Sequence, residues 1–595
     1  MENFIKSILP SVDKPSRYTG GEYNTPHIDL SAACRFAMCF PDIYEIGMSN
    51  LGIEILYGIL NRMEGVSCER CFAPWHDMAE QLRKHKMPLF SLESKTPLHK
   101  FDMVGFSMQY ELSYTNVLLM LELAGISFLA KDRKEQDPVL IAGGPSCVNP
   151  YPFADFFDII LVGDGEGIIE DIANAYKANK ARGGSKQDFL KDLNRYECLY
   201  VPSVQKDKRV KRNIVMDMDN AFVETKPLVP NIEAVFNRAK LEIFRGCTRG
   251  CRYCQAGFVY RPVRERSVGT LKNNATQIIE NCGFDEMTLA SLSTCDYSHL
   301  RELLFELKPL IDKKQINVSL PSTRVDSFEA EFVESSRKSS VTFAPEAGTQ
   351  RLRDIINKNV TEEDILTSLT KAFQKGYSAV KLYFMLGLPG ETDEDAEAIF
   401  VLAQKIKRLY KQVASSKKAL SLVIGTTIFV PKPFTPFEVC ALVDREAVDK
   451  RQVWLKQQCR KIGVKFGYCD YDMSMLECIF SRGDARLSKV IVRAYQLGAK
   501  FDGWSDSFAM DKWRQAFLDC KVDMQDYVGQ MPNGGWHQLD TGIDKVYLQE
   551  EYKKAMEGTT TDDCRKGCKN CGLIGVCYPE SMSKSKPQKK GAKQC

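Results

Sequence analysis

The sequence predicts an α/β protein: an N-terminal doubly wound parallel sheet, then a partial barrel of six βα units, then a mainly helical C-terminal region. Three observations carry this. Over residues 33–170, short β-rich apolar runs ending in glycine alternate with helix-length segments. From Leu241 to Gly425, six more apolar runs alternate with helical segments of similar size. Beyond residue 438 the pattern turns helical and mixed in charge, and it closes on a cysteine cluster near Cys564.

The first strand is read at Cys34–Phe40, with Asn50-Leu51-Gly52 opening a helix. Strands follow at Met103–Ser107, Val139–Ala142 before Gly143-Gly144-Pro145, and Ile159–Val162 before Gly163-Asp164-Gly165-Glu166. In such sheets ligands sit outside the carboxyl ends of the strands, where these glycine turns lie. Residues 171–238 read as a connector, and its basic stretch Gln205–Arg212 reads as a solvated hairpin. The pair Cys68 and Cys71 has metal-like spacing but no second half, which fits two reduced thiols.

The second set of strands begins near Leu241, Glu286, Ile316, Val341, Ala379 and Leu422. Directly after the first of them stands Arg245-Gly246-Cys247-Thr248-Arg249-Gly250-Cys251-Arg252-Tyr253-Cys254, a C-x3-C-x2-C loop. Three thiolates on one loop can hold three irons of a [4Fe-4S] cluster and leave the fourth open, whereas zinc and fully protein-ligated clusters take four ligands. Gly246 and Gly250 let the loop bend so that the sulfurs converge.

A chain of 595 residues exceeds one core. The reading is 1–170 for the first domain, 171–238 for the connector, 239–438 for the barrel and 439–560 for the helical accessory domain. A cysteine cluster at 561–580 and a basic, disordered tail at 581–595 complete it. With 44% hydrophobic and 27% charged residues the composition is that of globular proteins, and a net charge of +4 argues against a dedicated polyanion partner. The sequence lacks an apolar run long enough for a membrane span and a secretory leader, so a cytoplasmic protein is expected. The 21 cysteines cluster as metal sites do rather than as a disulfide framework.

The cysteine loop and its setting resemble the radical S-adenosylmethionine (radical SAM) enzymes. The resemblance implies that the amino and carboxylate groups of S-adenosylmethionine chelate the open iron held by Cys247, Cys251 and Cys254. It further implies reductive cleavage of the sulfonium, with an electron donor such as flavodoxin or ferredoxin and no membrane partner. Carried onto this chain, it makes Tyr253 a cofactor neighbour, Ser291, Ser293 and Asp296 candidates for the amino group, and Glu346 the candidate for the ribose hydroxyls. Arg324, Arg351 or Arg353 is implied for the cofactor carboxylate, and Gly387-Leu388-Pro389-Gly390 for the adenine. The proline-rich, aromatic loop Phe429–Phe437 reads as a cover for the barrel mouth, with Lys432 facing either substrate or solvent.

The domain order resembles the subclass that carries a cobalamin-binding Rossmann-like domain ahead of the radical core; Gly143-Gly144-Pro145 and Gly163-Asp164-Gly165-Glu166 carry that resemblance, which implies that Gly143 and Gly144 contact the cofactor. The Asp-x-His-x-x-Gly signature of a cobalt-ligating histidine is absent, since Asp42–Gly47 holds no histidine. Near the C-terminus, Cys564, Cys568, Cys571 and Cys577 suit either a tetrahedral zinc or a second [4Fe-4S] cluster, and their repeat of C-x3-C-x2-C favours the cluster. The leading function is a radical SAM enzyme with a substrate not specified by the sequence, extended to cobalamin-dependent methyl transfer. The alternatives are radical sulfur insertion of the methylthiotransferase kind, and a metal-bound RNA- or ribosome-associated binding module.

Overall fold

The computed structural model describes residues 2–205, 208–320, 340–531 and 535–577. The first sheet contains β1 (Cys34–Phe40), β2 (Val66–Phe72), β3 (Met103–Ser107), β4 (Val139–Gly143), β5 (Ile159–Leu161) and β6 (Leu199–Tyr200), in the order β2-β1-β3-β4-β5-β6. The first five are parallel and β6 pairs antiparallel with β5. The chain steps outward from β1 to β2 and returns to β3. A crevice therefore opens at the carboxyl ends of β1 and β3, where the strand order reverses. β2 is buried along its whole length because both faces are covered. Cys68 and Cys71, three apart on this strand, point to opposite faces and are buried free thiols.

The helix Leu51–Arg62 starts at Asn50, whose side chain accepts from the Ile53 N–H at 2.9 Å. Residues 171–200 do not merely connect. Helices Ile168–Ala181 and Lys186–Leu193 share one apolar core with β1, β6 and the Leu51–Arg62 helix. Next, β7 (Val210–Lys211) pairs in parallel with β17 (Leu539–Asp540), far along the chain. The basic stretch expected as a solvated hairpin is therefore tied down. Lys208 Nζ donates to the carbonyls of Asn194 and Tyr196 at 2.6 and 2.7 Å, and buried Arg212 donates to those of Val259 and Arg261.

The second set comprises β8 (Ala239–Glu242), β9 (Phe244–Arg245), β10 (Arg264–Glu265), β11 (Glu286–Ala290), β12 (Asn317–Ser319), β13 (Val341–Glu346), β14 (Ala379–Leu386), β15 (Ser421–Ile428) and β16 (Lys465–Tyr468). All six expected runs are strands. Among the described residues, with β16, they form two parallel sheets, β12-β11-β8 and β13-β14-β15-β16, with helices between successive strands of each sheet. β16 lies in the region expected to be helical; Lys465-Phe466-Gly467-Tyr468 is too short and polar to announce itself and exists by pairing with the edge of β15.

The C-terminal helices Tyr471–Ser481, Leu487–Gln496 and Met510–Cys520 pack on the first sheet's layer and share its core. Their partner, helix Tyr114–Ala124, is apolar nearly all round because it is covered on both sides. Buried polar links fix the joint: Thr115 donates to Asp502 at 2.6 Å, the Phe501 N–H donates to Asn116 at 2.7 Å, and Asn149 donates to the carbonyls of Ser481 and Gly483 at 2.9 Å. No helix among the described residues is long and apolar enough to cross a membrane.

Candidate active site

The C-x3-C-x2-C loop leaves β9 at the carboxyl end of the three-stranded sheet. Gly246 has φ 92°, and a Cβ there would stand 2.4 Å from the Pro262 carbonyl oxygen. Only glycine fits. Gly250, at φ 72°, makes the second bend. Cys251 is buried, Cys247 and Cys254 are half-buried, and all three are free thiols. Burial pushes the Cys254 thiol up to about 12, with the Cys251 and Cys247 sulfurs adding to the shift. Cys247 is raised for the same reasons. Burial and neighbouring sulfurs thus disfavour the thiolates of Cys247 and Cys254, and a bound polycation would reverse that penalty. The donor set fits a three-thiolate cluster. Among the described residues no group of three or more His, Cys, Asp or Glu side chains is already in metal-holding geometry.

The loop is held from beneath by long-range contacts. Arg252 is fully buried; its guanidinium meets Glu551 at 3.1 Å and donates to the carbonyls of Ile355 at 2.9 Å, Asp354 at 3.2 Å and Thr559 at 2.8 Å. Asn357 donates to the Gly250 carbonyl at 3.0 Å and accepts from the Thr561 N–H at 2.8 Å.

Tyr253 and Glu346 come together: the Tyr253 hydroxyl donates to Glu346 at 3.1 Å. Lys358, which sequence reasoning missed, reaches the same carboxylate at 3.1 Å and the Tyr253 oxygen at 3.3 Å. Glu346 ends β13 with φ 69°, a left-handed conformation that turns its side chain toward this pair. Leu388 is buried in the apolar cluster that Tyr253 packs against, together with Met385, Phe429 and Phe437. Gly387 at φ 84° and Gly390 at φ 76° form the turn around it, and the Gly387 N–H donates to Glu391 at 2.6 Å. Pro389 is half-buried between them.

The arginines implied for the cofactor carboxylate are otherwise engaged. Arg353 is buried and donates to the carbonyls of Val360, Ala347 and Gly348 at 3.0, 3.0 and 3.2 Å. Arg351 donates to the Gly390 carbonyl at 2.9 Å and pairs with Asp395. Arg324 lies outside the described residues. Asp296 is clamped by Arg249 and Arg565, which neutralise the charge an ammonium would need. Lys432, between substrate and solvent in the sequence reading, faces neither: it pairs with Glu111 and Glu477, each at 2.7 Å.

Two cavities flank the loop. One of about 360 Å³ is bounded by Gly143, Gly144 and Ser107 from the first sheet and by Arg245, Gly246 and Ser291 from the second. The other, of about 300 Å³, holds Ser293 and Asp296 beside Cys247, Thr248 and Arg565. Ser291 and Ser293 thus face different spaces. At the larger cavity Arg245 pairs with Glu166 at 2.5 Å and Glu242 at 2.8 Å, and Asp164 pairs with Arg264 at 2.6 Å, so the Gly163–Glu166 turn also bolts the two sheets together.

Residues 241–403 match the model of the radical SAM superfamily, and residues 52–202 match the model of the N-terminal region of radical SAM proteins. An uncharacterised protein of Methanocaldococcus jannaschii is 30% identical over 499 residues, covering 82% of this chain and 97% of that relative. The chain belongs to the radical SAM superfamily. It is therefore an enzyme of a superfamily defined by a [4Fe-4S] cluster and S-adenosylmethionine, and it requires a reductant. A tRNA-2-methylthio-N(6)-dimethylallyladenosine synthase of Ehrlichia canis is 25% identical over 249 residues, covering 39% of this chain and 52% of the synthase. Among solved structures, the radical SAM methyltransferase TsrM from Kitasatospora setae, with cobalamin and a [4Fe-4S] cluster bound, is similar at a TM-score of 0.49 and 13% identity, over 88% of this chain and 99% of that one.

The four C-terminal cysteines stand on the segment that follows Asp563. Cys564 and Cys571 are half-buried, and Cys568 and Cys577 are exposed. Burial and the neighbouring sulfurs push the Cys577 thiol up to about 11.

Proposed function

We propose that this radical SAM enzyme binds S-adenosylmethionine between the cluster held by Cys247, Cys251 and Cys254 and the Tyr253, Glu346 and Leu388 group, and that cobalamin is its second cofactor, with methyl transfer to an unactivated carbon as the reaction. One observation carries the reading: Gly143 and Gly144 share a cavity with Gly246, the first bend of the cysteine loop. The bound groups would supply one-electron reductive cleavage of the sulfonium and a transferable methyl group.

The chain's own residues divide the remaining work. Glu346 accepts hydrogen bonds, which suits two ribose hydroxyls, and the contact from Lys358 holds its carboxylate in place. Leu388 and the Gly387 backbone offer an apolar edge to adenine. The Phe429–Phe437 loop excludes water: Phe429 and Phe437 are buried, and Gln255, next to Cys254, donates to the Pro433 carbonyl at 3.2 Å.

Cobalamin fits the cavity in chemistry and only in part in size. Phe36, Leu51, Ile55, Leu56 and Phe106 give an apolar wall, and Asn50, Ser107 and Gln109 offer hydrogen bonds to corrin amides. No histidine lines it, so cobalt would lack a ligand from below. A whole corrinoid exceeds 360 Å³, so binding requires the mouth to widen.

The test is anaerobic reconstitution with iron, sulfide and hydroxocobalamin, followed by metal analysis and S-adenosylmethionine turnover under dithionite. A Cβ on Gly143 meets open space, so Gly143→Phe fills the cavity without backbone strain. This variant is expected to lose cobalt but keep iron and 5′-deoxyadenosine formation. Cobalt retained in Gly143→Phe, or none in the unaltered chain, removes the cobalamin reading. Full 5′-deoxyadenosine yield in Cys254→Ala removes the assignment of the loop.

For the second thiol set we propose an auxiliary [4Fe-4S] cluster on Cys564, Cys568, Cys571 and Cys577, since its spacing repeats that of the loop. Its place beside Thr248 favours one alternative reaction, radical sulfur insertion. A product of unchanged sulfur content excludes that alternative.

A further inference from the structure

Charge is segregated in the part of the barrel that carries β14, β15 and β16. Residues 365–390, 398–437 and 450–469 hold sixteen lysines and arginines and no aspartate or glutamate. The carboxylates stand at the other end of the same helices: Glu362, Glu363 and Asp364 open helix Glu362–Gln374, Asp393, Glu394 and Asp395 open helix Asp393–Val413, and Glu446 opens helix Arg445–Lys461. The small net charge of +4 conceals this separation.

The cations meet at one place. All three helices end at the amino ends of the parallel strands that follow them, and hydrogen bonds tie the turns there together. Ser415 Oγ donates to the Gln374 carbonyl at 2.8 Å, the Tyr410 hydroxyl to the Lys418 carbonyl at 2.7 Å, and the Ser421 N–H to the Ser378 carbonyl at 2.8 Å. Lys407 donates to the Ile462 carbonyl, which brings the third turn alongside. Arg408, Lys411, Lys417, Lys418, Arg460 and Lys461 are exposed, and none of them pairs with a carboxylate among the described residues. A cation in the last turn complements the negative end of a helix. That need does not extend to Lys417 and Lys418, in the loop before β15, or to Lys381 and Lys465, on the strands.

The exposed face of the sheet continues the patch. Lys381 of β14 pairs with Val423 of β15, and Val423 with Lys465 of β16; the next row on that face is Tyr383, Gly425 and Gly467. Both lysines are exposed. Tyr383 is 44% exposed, and its ring lies over Gly425, where a Cβ would stand 2.9 Å from it. A Cβ on Gly467 meets open space. The two glycines thus make a flat floor beside an aromatic ring, with an ammonium group on either flank of the row below. Thr342 and Thr427 add exposed hydroxyls to this face, and at the sheet's edge Tyr468 is 50% exposed with Lys456 5.3 Å over its ring. Two residues beyond Tyr383, Met385 joins the apolar cluster of Leu388.

We propose that this face docks single-stranded RNA: the cations take backbone phosphates, Tyr383 and Tyr468 stack unpaired bases, and the track from Lys381 through Tyr383 to Met385 leads the strand toward the cofactor end of the barrel. Cations alone suit any polyanion, whereas aromatic rings set among them suit bases, and the threonine hydroxyls suit the ribose 2′-hydroxyl. β14 runs eight residues, about 26 Å, so a partner held at the amino ends must be a polymer to reach the site. The proposal stands apart from the cobalamin reading and requires no metal.

The experiment is fluorescence anisotropy with the full-length chain and a labelled, unstructured RNA of about 20 nucleotides, between about 50 and about 200 mM salt. The unaltered chain should bind, and weaken steeply as salt rises. Lys417→Glu, Lys418→Glu and Lys461→Glu together should weaken binding at least about tenfold and lower the salt slope by about 2, at about 0.7 per phosphate contact. Lys84→Glu, Lys131→Glu and Lys134→Glu make the same change of charge on exposed residues of the first domain and should bind as the unaltered chain does. Tyr383→Ala should weaken binding about tenfold and leave the slope unchanged. No binding by the unaltered chain, or equal loss in the two triple variants, overturns the face. Unchanged affinity in Tyr383→Ala, or equal affinity for DNA of the same sequence, overturns RNA as its occupant. Preference for polyglutamate or for phosphatidylserine vesicles over the RNA does the same, in favour of an acidic protein or a membrane.

Discussion

Replacing Arg252 by methionine tests whether the C-terminal helix Lys545–Met556 is part of the machinery that holds the cysteine loop. Arg252 is the hub of that contact, and methionine keeps most of its apolar length while deleting every donor. Three backbone carbonyls, at Ile355, Asp354 and Thr559, lose their partner, and Glu551 loses its guanidinium. Breaking a buried pair costs about 3–5 kcal/mol when a charge is left uncompensated. Glu551 is not left so: Lys554 still reaches it at 2.8 Å and the Thr561 hydroxyl at 2.7 Å. The cost therefore falls at the lower end, about 3 kcal/mol. It is local, because the contact joins two segments rather than forming a whole core. The assay is amide hydrogen exchange on the full chain, read in peptides covering 247–254 and 545–561. A loss of about 3 kcal/mol corresponds to exchange faster by about 150-fold in both. Glu551→Gln should cost less, since its partners keep neutral hydrogen bonds, and the double variant should show a coupling of about 1–2 kcal/mol. Acceleration confined to 247–254, or full additivity in the double variant, would refute the joint.

The remaining predictions concern one titrating group and two glycines. Asp502 is 1% exposed, and burial raises its carboxyl to about 6 from an ordinary 3.8. Because the folded pKa is the higher one, stability is greatest below about pH 4 and falls as pH rises to about 6. The loss is then complete at about 3 kcal/mol. Asp502→Asn keeps an acceptor for Trp513 and meets the Thr115 oxygen with an amide donor in place of the acceptor it now offers, so it should flatten that dependence and raise the thermal midpoint at pH 8; equal midpoints at pH 8 would contradict this. Gly246→Ala forces a Cβ against two backbone carbonyls, at 2.4 and 2.8 Å, and should cut bound iron by about four per chain with far-UV circular dichroism unchanged. Gly143→Ala, facing open space, is the control and should bind iron normally.

The features legible in the sequence are those written in local pattern. Six apolar runs became six strands because strand period and spacing are local, and Gly246 and Gly250 announced the bends because glycine adopts positive φ without strain. Tyr253, Glu346 and Leu388 were found together because each lies at a strand end or on the cysteine loop itself. A guanidinium near a predicted turn is as useful for clamping carbonyls as for binding a carboxylate, and Arg353 does the former. Lys358 carried no signal, being a lysine in a short turn whose value comes from Glu346 across the loop. Arg252 with Glu551, and Thr248 with Asp563, pair over about 300 residues, and a single sequence holds no trace of such distances. β16 and the docking of the C-terminal helices on the first sheet escaped for the same reason: their stability comes from a partner and not from their own propensity.

The cysteine loop explains why both ends of the chain converge on it. Burial and neighbouring sulfurs disfavour the thiolates of Cys247 and Cys254, so the loop takes its shape from the contacts that surround it. A cluster-binding loop must be shaped before the cluster arrives, or each binding event would carry the entropy of ordering it. The N-terminal sheet supplies one brace, from Glu166 and Asp164 to Arg245 and Arg264, and the C-terminal helix supplies the other, through Arg252 and Asn357. Each brace uses buried ionic contacts, which are directional and costly to misplace, where an apolar contact would tolerate sliding. The Arg245–Glu166 pair stands between the 360 Å³ cavity and Gly246, and the Cys564 N–H donates to the Thr248 carbonyl next to Cys247. The loop is thereby fixed at both of its cysteine-proximal ends by segments distant in sequence, and loosening either contact should loosen the loop.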